Sequence, residues 1–194
     1  MIPDLTDTFI KIIIGIAPDK SKQQDKFVLK ASWIDTKLGP MIAIADDEKL
    51  YLLEFADRLG LEEKIEKFRL KKNFSIIPGE TEPISMIKKE LGFYFSGDLK
   101  KFKTPVNLTG SKFQINAWNE LISIPYGQTR SYLQQAHAIC KDKAFRAIAN
   151  ANSANQLAII VPCHRIINNN GNLGGYAGGK ARKAWLINHE KQNA

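Results

Sequence analysis

Residues 157–167 have the sequence Leu-Ala-Ile-Ile-Val-Pro-Cys-His-Arg-Ile-Ile, an apolar run followed by a proline, a cysteine and two basic residues. The apolar run over 157–161 is rich in β-branched residues, which predicts a buried strand. Pro162 has no backbone N–H and is expected to end the strand ladder. Cys163 would then follow a rigid element directly while remaining open to a ligand, and we predict that this thiol is reactive.

Two basic residues follow the thiol and could activate it, since only the thiolate form of cysteine is nucleophilic. Adjacent residues of an extended chain point to opposite sides, so we expect His164 to take the proton of Cys163 through a bridging water. Arg165 adds positive charge nearby. A histidine base usually has a third group that holds its tautomer, and Glu190 is the best candidate because acids are scarce over 99–194. The alternative for His164 is a hydrogen-bonded histidine with a structural role only.

The chain has 194 residues, enough for one large domain or two small ones. Its apolar runs fall short of the roughly 20 residues of a membrane span, and the N-terminus lacks the basic region of a secretory signal.

Two cysteines favour a reducing compartment, so we expect a cytoplasmic protein, or a nuclear one in a eukaryote. Cys140 is expected to be a small buried hydrophobe. No zinc-ligand spacing and no nucleotide fingerprint are present, so neither a metal nor a cofactor is expected.

Positive charge is concentrated in the second half of the chain. Residues 1–98 contain 15 Lys and Arg against 17 Asp and Glu, whereas residues 99–194 contain 13 against 3. An ordinary solvated surface mixes positive and negative side chains, whereas the second half of the chain has few negative ones. This asymmetry favours a polyanionic partner, nucleic acid before membrane.

The patterns along the first half predict an α/β domain after a short N-terminal extension over 1–26. The expected elements are three strands in an antiparallel meander, a helix, a fourth strand and a second helix, at 27–34, 41–45, 50–55, 61–70, 73–77 and 81–95. Thr81 is the expected N-cap of the second helix. The polar segment 96–106 marks a boundary, which gives domains over 27–105 and 106–194.

The second half is predicted to be mostly helical. Capping boxes at Ser111–Gln114 and Ser131–Gln134 each open a helix, and a third helix is expected over 144–152 after a break at Lys141–Asp142. Two short helices across a tight turn, followed by β structure, indicate a winged helix-turn-helix, although an ordinary helical hairpin gives the same pattern. The glycine-rich residues 168–179 contain a lone Tyr176 and suggest a binding lid rather than a plain surface loop. A last helix is expected over 180–191.

Residues 160–167 resemble the active-site sequence of the O6-alkylguanine-DNA alkyltransferases. The resemblance covers residues 27–190 and includes Phe113-Gln114, Trp118, 124–129, Ser131-Tyr132, Arg146-Ala147, Asn155, 174–176 and 178–179. It implies an α+β fold, with a ribonuclease-H-like α/β domain followed by a mostly helical winged helix-turn-helix domain.

The resemblance also implies a function, direct repair of double-stranded DNA. The protein would flip O6-alkylguanine out of the duplex, with O4-alkylthymine as a second candidate substrate, because the damaged atom is otherwise enclosed in the stack. The alkyl group would then pass irreversibly to Cys163 in a single turnover. No cofactor would be needed, and a monomer is expected.

Roles for individual residues follow from the same resemblance. His164 would be the base, acting through water and held by Glu190, while Asn155 would order the active-site turn and Tyr132 would give its phenol proton to the leaving guanine. Arg146 would fill the gap left by the flipped base. The other expected DNA contacts are Ala144, Ala147, Thr129 and Ser131. The expected guanine pocket comprises Tyr176, Ala177, Gly175 and Ile166.

The sequence departs from the family pattern at three positions, where Gln156, Ala149 and Ala177 replace the Pro, Gly and Ser of many members. The last of these bears on pocket polarity. Residues 157–160 are similar to the form found in adaptive-response alkyltransferases, and residues 8–18 resemble the end of the arabinose-regulator-type module of those proteins. We therefore expect residues 1–26 to be a shortened relic of that module.

Two other functions are open at this point. A sensor could flip alkylguanine without removing the alkyl group, although such relatives lack the nucleophile that Cys163 supplies. An unrelated cysteine hydrolase would turn over repeatedly, but it would leave the basic second half and the helix-turn-helix unexplained.

Overall fold

The structure is a computed structural model that describes residues 27–72, 74–140 and 144–194. The chain folds as two units. The first unit ends at Lys89 and takes in Thr104–Asn107, and the second comprises Glu90–Lys103 and Leu108–Ala194. The extension over 1–26 and the break at Lys141–Asp142 lie outside the described residues. The domain bounds expected from the sequence stay a prediction.

The first unit contains a four-stranded sheet with the strand order β3-β2-β1-β4. The strands are β1 (Phe27–Ile34), β2 (Met41–Ala45), β3 (Leu50–Phe55) and β4 (Phe74–Pro78). β1, β2 and β3 form the predicted antiparallel meander, and β4 pairs with β1 in parallel. All five residues of β2 are buried. Because alternate residues of a strand point to opposite faces, both faces of the sheet are covered at its centre.

Helix α1 (Leu61–Lys72) supplies one apolar face to the core of this unit. Leu61, Ile65 and Phe68 lie on that face, as the helical spacing predicts, and all three are buried. Phe68 forms an aromatic cluster with Tyr51 and Phe74, with ring centroids 5.5–6.1 Å apart. The antiparallel meander is therefore closed by a helix that returns the chain to the far edge of β1.

Helix α2 (Glu82–Ser96) runs from the first unit into the second. The Thr81 hydroxyl accepts a hydrogen bond from the Ile84 N–H at 3.4 Å, which is the capping contact expected from the sequence. The buried face of the helix carries the predicted set of side chains, Ile84, Ile87, Leu91 and Tyr94.

The second unit contains the helices α3 (Lys112–Ser123), α4 (Tyr132–Ala138), α5 (Phe145–Ser153) and α6 (Lys180–Gln192) and the short parallel strands β5 (Arg130–Ser131) and β6 (Ile166–Ile167). Both capping boxes are confirmed: Ser111 caps α3 and Ser131 caps α4, each exchanging two hydrogen bonds with a glutamine at the third helical position. The described chain is thus an α+β protein. Within its described residues, no helix is long and apolar enough to cross a membrane.

Helices α3, α4 and α5 pack through small side chains and a buried amide pair. Ala117, Ala136 and Ile148 form part of their shared core. The side chains of Gln135 on α4 and Asn152 on α5 exchange two hydrogen bonds, at 2.8 and 3.2 Å, and both residues are buried. Such mutual satisfaction of buried amides fixes how α4 and α5 meet.

Two predictions from the sequence are wrong. Residues 157–161 form a buried turn and not a strand, and the strand β6 follows the thiol instead of preceding it. An apolar run indicates that its residues are buried but does not distinguish a strand from a turn. A turn held by side-chain hydrogen bonds can be as buried as a strand. Cys140 is exposed rather than buried, and it lies just past the end of α4 with a φ of 56°.

Candidate functional site

The Cys163 thiol lies at the start of a single turn of 3₁₀-helix, Cys163–Arg165. The Arg165 N–H donates to the Pro162 carbonyl at 2.9 Å, and the Ile166 N–H donates to the Cys163 carbonyl. Successive side chains in a 3₁₀-helix are about 120° apart. Cys163 therefore stays partly exposed while His164, the next residue, is completely buried.

Asn155 organises the turn that leads to the thiol. Its Oδ1 accepts a hydrogen bond from the Leu157 N–H at 2.9 Å, and its Nδ2 donates to the Val161 carbonyl at 2.9 Å. Nδ2 also lies 3.4 Å from the Cys163 sulfur. Within this turn Ile159 has a φ of 72°, which is rare for a β-branched residue. The contacts of Asn155 thus hold a strained turn in place and position the sulfur.

His164 connects the thiol's turn to helix α6. Its Nε2 lies 2.7 Å from Glu190 Oε1, whereas its buried Nδ1 has no hydrogen-bond partner among the described residues. A carboxylate beside Nε2 keeps the ring proton on that nitrogen, which leaves the Nδ1 lone pair free to accept a proton. Burial lowers the pKa of His164 against the opposing effect of Glu190, so the ring rests in its neutral, basic form.

Glu190 accepts hydrogen bonds from three residues besides His164. They are Arg165, through Nε at 2.8 Å and Nη2 at 3.1 Å, Tyr94, through its hydroxyl at 2.8 Å, and Gly127, through its N–H at 3.3 Å. Burial alone would raise the pKa of Glu190, but the hydrogen bond from His164 and the Arg165 guanidinium bring it far below its ordinary value. Glu190 is therefore an anion balanced by Arg165, and His164 need not carry a charge.

A cavity of about 430 Å³ opens onto the thiol. Its lining residues are Tyr132, Ala149, Asn152, Ser153, Cys163, Gly175, Tyr176 and Ala177. The structure thus brings together the predicted thiol, the predicted phenol and three of the four predicted pocket residues. The fourth, Ile166, is buried outside this lining. Asn152 and Ser153 were not predicted, although their spacing of three and four residues from Ala149 places all three on one face of α5.

Tyr132 is the first residue of α4 and faces the same cavity as the thiol. Burial raises the pKa of the Tyr132 phenol, and the nearby Cys163 raises it further, so the phenol is protonated at neutral pH. Gly174 lies against this ring with a φ of 69°, and a Cβ at that position would come within 3.3 Å of the Tyr132 ring. A glycine is therefore required for the loop 168–179 to approach Tyr132 this closely.

Lys183 is a buried residue of the site that sequence reasoning missed. Its side chain is fully buried, and its ammonium donates to the carbonyls of Ile166 and Gly175, the latter at 3.1 Å. Burial lowers the pKa of Lys183 to about 8, while the nearby Cys163 raises it. The signal was the spacing of Lys183, Ile187 and Glu190 at i, i+4 and i+7, which places a lysine on the buried face of α6. Lys183 ties the segment after the thiol to the glycine-rich loop.

The residues predicted to contact DNA do not line the thiol's cavity. Arg146 is exposed near the start of α5, with its guanidinium 5.7 Å from the centre of the Phe145 ring. Ala147 is exposed as well, and Ala144 is the N-cap of α5 without a side-chain cap. Thr129 and Ser131 line a separate groove of about 280 Å³. The described residues contain no cluster of three or more His, Cys, Asp or Glu that could hold a metal ion.

Comparison with known proteins gives a consistent set of relatives. Residues 112–192 match the model of the family described as 6-O-methylguanine DNA methyltransferase, DNA binding domain. The constitutive methylated-DNA–protein-cysteine methyltransferase of Bacillus subtilis is 37% identical over 160 residues, which are 81% of this chain and 92% of the relative. The methylated-DNA–protein-cysteine methyltransferase of Methanosarcina acetivorans is 37% identical over 156 residues, 80% of this chain and 94% of the relative.

Solved structures agree with the sequence relatives. The crystal structure of Mycobacterium tuberculosis O6-methylguanine methyltransferase superposes with a TM-score of 0.72 at 36% identity, covering 86% of this chain and 94% of that one. A second structure of the Mycobacterium tuberculosis protein, in complex with DNA, gives a TM-score of 0.72 at 35% identity with the same coverage.

Proposed function

Because the chain belongs to the methylated-DNA–protein-cysteine methyltransferase family, we propose that it repairs DNA by moving the alkyl group of O6-alkylguanine onto its own Cys163. The observation that carries this proposal is the cavity onto which Cys163 opens, with the buried pair His164 and Glu190 behind it. A relative solved in complex with DNA supports DNA as the partner.

The first step activates the thiol. The Cys163 proton passes through a bridging water to His164 Nδ1, and the hydrogen bond from His164 Nε2 to Glu190 stabilises the imidazolium that forms. The thiolate attacks the alkyl carbon, an S–C bond forms, and the C–O6 bond breaks with its electron pair going to guanine. The product at Cys163 is a thioether. No step of the reaction restores the thiol, so one chain repairs one lesion.

The second step neutralises the leaving guanine. Tyr132 lies in the cavity with a protonated phenol, and it donates that proton to the guanine as the C–O6 bond breaks. The proton held by His164 then returns through solvent to the Tyr132 phenolate. Asn155 keeps the sulfur in place throughout, and Tyr176, Ala177 and Gly175 line the base pocket.

The guanine must leave the duplex to reach Cys163, and helices α4 and α5 are suited to extract it. We assign them as a helix-turn-helix, with the β5–β6 pair as the wing. Exposed Arg146 then fills the gap left by the flipped base. The small residues Ala144 and Ala147 let α5 approach the minor groove closely, and Thr129 and Ser131 contact the DNA backbone.

The finer features of the fold and setting belong to the same proposal. An antiparallel meander, a helix and a parallel fourth strand favour a ribonuclease-H-like assignment for the first unit. Two cysteines that form no disulfide favour a reducing, cytoplasmic setting. A monomer suffices because every group named in the mechanism comes from one chain.

Transfer of label from DNA to protein tests the function. A duplex with one radiolabelled O6-methylguanine is expected to transfer one label per wild-type chain and none to Cys163→Ala. Cys140→Ala is the matched control, since it removes the exposed second cysteine, and it should transfer as wild type does. Repeated turnover would establish a hydrolase, and DNA bound with its label retained would establish a sensor; either result contradicts the proposal.

A further inference from the structure

An asparagine–glycine pair lies in the loop that follows β6. Residues 168–171, which we call the asparagine loop, have the sequence Asn-Asn-Asn-Gly, and Asn170-Gly171 is the only place in the chain where a glycine follows an asparagine. Both residues of the pair are exposed. Because glycine has no side chain, the backbone nitrogen of Gly171 can approach the amide carbon of Asn170 without steric hindrance. The proposed mechanism gives this pair no role.

The hydrogen bonds of the asparagine loop hold the Asn170 side chain against the peptide that follows it. Asn170 Oδ1 accepts a hydrogen bond from the Asn172 N–H at 3.1 Å, which makes an Asx turn. The ring closed by this bond contains both Cγ of Asn170 and the backbone nitrogen of Gly171, which keeps the two atoms close. The Asn172 N–H also stabilises negative charge that develops on Oδ1 when Cγ is attacked. The Gly171 N–H donates to the Asn168 carbonyl at 2.9 Å, and an exposed turn can open such a bond at little cost in free energy.

We propose that Asn170 is a site of spontaneous deamidation, which converts its neutral amide to a carboxylate. The Gly171 nitrogen attacks Cγ of Asn170 and an N–C bond forms. The proton of the Gly171 nitrogen passes through water to the side-chain nitrogen, which leaves as ammonia. A second water opens the cyclic imide at one of its carbonyl carbons, and the product is aspartate or isoaspartate. The net reaction consumes one water and releases one ammonia, so it needs no other reactant.

The new negative charge falls among the residues proposed to contact DNA. Asn170 lines the groove that contains Arg146, and Gly171 lines the groove that contains Thr129 and Ser131. This half of the chain has 13 basic residues against 3 acidic ones. A carboxylate at this place repels DNA phosphates and competes with them for Arg146.

Deamidation therefore slows the repair of duplex DNA without changing the thiol. The cavity of Cys163 has no lining residue from the asparagine loop. The effect on repair rests on the proposed function, whereas the modification itself does not. A chain that has met no lesion thus loses affinity for DNA with age while Cys163 stays reactive.

Mass spectrometry tests the modification. Wild type is incubated in warm, mildly alkaline buffer made with oxygen-18 water, and the tryptic peptide 166–180 is sequenced by fragmentation. Asn170 should be converted with one heavy oxygen incorporated. Asn172, which is exposed in the same segment but precedes a leucine, should remain asparagine. Asn170→Gln should give no converted peptide, because its longer side chain would have to close a larger ring.

Single-turnover kinetics test the effect on repair. Asn170→Asp has the added charge from the start, and at low salt it should take label from O6-methylguanine duplex about fivefold more slowly than wild type, as one close repulsion between unit charges in water predicts. The deficit should shrink as salt is added, since exposed charges are screened. The reaction with the small substrate O6-benzylguanine should match wild type. Asn119→Asp is the matched control, because it makes the same change at an exposed position of α3 that lines neither groove, and it should react as wild type does with both substrates.

The two measurements separate the possible failures. An Asn170 that stays intact in wild type, or an Asn172 that is converted equally fast, would overturn the modification site. Equal duplex rates for Asn170→Asp and wild type, or an equal loss with both substrates, would overturn its effect on repair. If fresh wild type takes no label from O6-methylguanine, the proposed function itself fails, and the mass of peptide 166–180 still decides whether Asn170 is modified.

Discussion

At the scale of single residues, the reactivity of Cys163 depends on which cation balances the buried carboxylate of Glu190. Glu190 neutralises Arg165 through two hydrogen bonds and accepts a third from His164. Because Arg165 supplies the balancing charge, His164 can rest neutral and take the thiol proton. Without Arg165, the negative charge of Glu190 would favour the protonated form of His164. A protonated imidazole cannot accept the proton of the thiol.

Glu190→Gln should therefore harm both stability and reactivity. The amide oxygen still accepts from His164, but the buried Arg165 loses its counter-ion, and the free energy of unfolding should fall by about 3–5 kcal/mol. Glu120→Gln is the control, since it removes the acid of the more exposed Arg130–Glu120 pair and should cost less than about 1 kcal/mol. Urea unfolding gives both values, and the iodoacetamide rate of Cys163 should drop in Glu190→Gln only.

The pH dependence of this stabilisation has a definite sign. The pKa of Glu190 is lowered from 4.5, so its contribution is complete above pH 4.5 and is lost as the pH falls towards the folded-state value. The difference in unfolding free energy between wild type and Glu190→Gln should accordingly narrow below pH 4.5. A difference that stays constant into acid would contradict the ionic role of Glu190.

Lys183 makes the stability rise with pH in a second, alkaline window. Its pKa is lowered from 10.5 to about 8, so between these values the unfolded chain binds more protons and stability rises with pH. The shift corresponds to about 3 kcal/mol over that window. The free energy of unfolding of wild type should rise relative to Lys183→Met between pH 8 and pH 10, while Lys180→Met, at an exposed position, should follow wild type. Parallel curves for wild type and Lys183→Met would contradict this prediction.

At the scale of elements, the turn over 157–161 takes the place of the strand expected from the sequence. The turn has a left-handed residue, Ile159, whose conformation is unfavourable by itself, and the hydrogen bonds of Asn155 offset that cost. The side chain of Asn155 thus supplies hydrogen bonds that backbone groups of a neighbouring strand would otherwise supply. The sulfur is positioned by the amide that also closes the turn.

Removing that amide should loosen the element. Asn155→Ala leaves the buried Leu157 N–H unpaired, at a cost of about 1–3 kcal/mol. The Val161 carbonyl loses one hydrogen bond, worth about 0.5–1.5 kcal/mol, but keeps the one from the Cys163 N–H. We expect a loss of about 1.5–4.5 kcal/mol in the free energy of unfolding and slower alkylation of Cys163 by both DNA and free O6-benzylguanine. Asn150→Ala, at an exposed position of α5, should change stability by less than about 0.5 kcal/mol. Normal alkylation rates in a folded Asn155→Ala chain would contradict the positioning role.

The contrast between elements shows what local sequence determines. The strands β1–β3 and the two capping boxes were predicted because alternation and short-range caps are encoded within a few residues. The turn at 157–161 depends on the side chain of Asn155, which a pattern of apolar residues does not report. The buried amide pair of Gln135 and Asn152 depends on partners that are distant in the sequence. Lys183 was missed for the same reason, since its burial is tolerated only by two carbonyls from distant segments.

At the scale of the whole molecule, the division of charge links the chemistry to its substrate. The half that contains the thiol has 13 basic residues against 3 acidic ones, while the other half is close to neutral. Contacts to phosphates supply sequence-independent affinity, which suits a protein that must search DNA for a lesion in any sequence. These basic residues add no affinity for a small neutral substrate that enters the cavity of Cys163.

Salt should therefore slow the alkylation of Cys163 by DNA much more than its alkylation by a small neutral substrate. Each phosphate neutralised contributes about −0.9 to the slope of log K against log salt. Single-turnover alkylation of Cys163 by subsaturating O6-methylguanine duplex should slow steeply between 50 and 200 mM NaCl, roughly 10-fold or more if several phosphates are contacted. Alkylation by free O6-benzylguanine should change less than about twofold over the same range, because His164 and Glu190 are buried and poorly screened. A parallel fall with both substrates would mean that salt acts on the thiol and not on DNA binding.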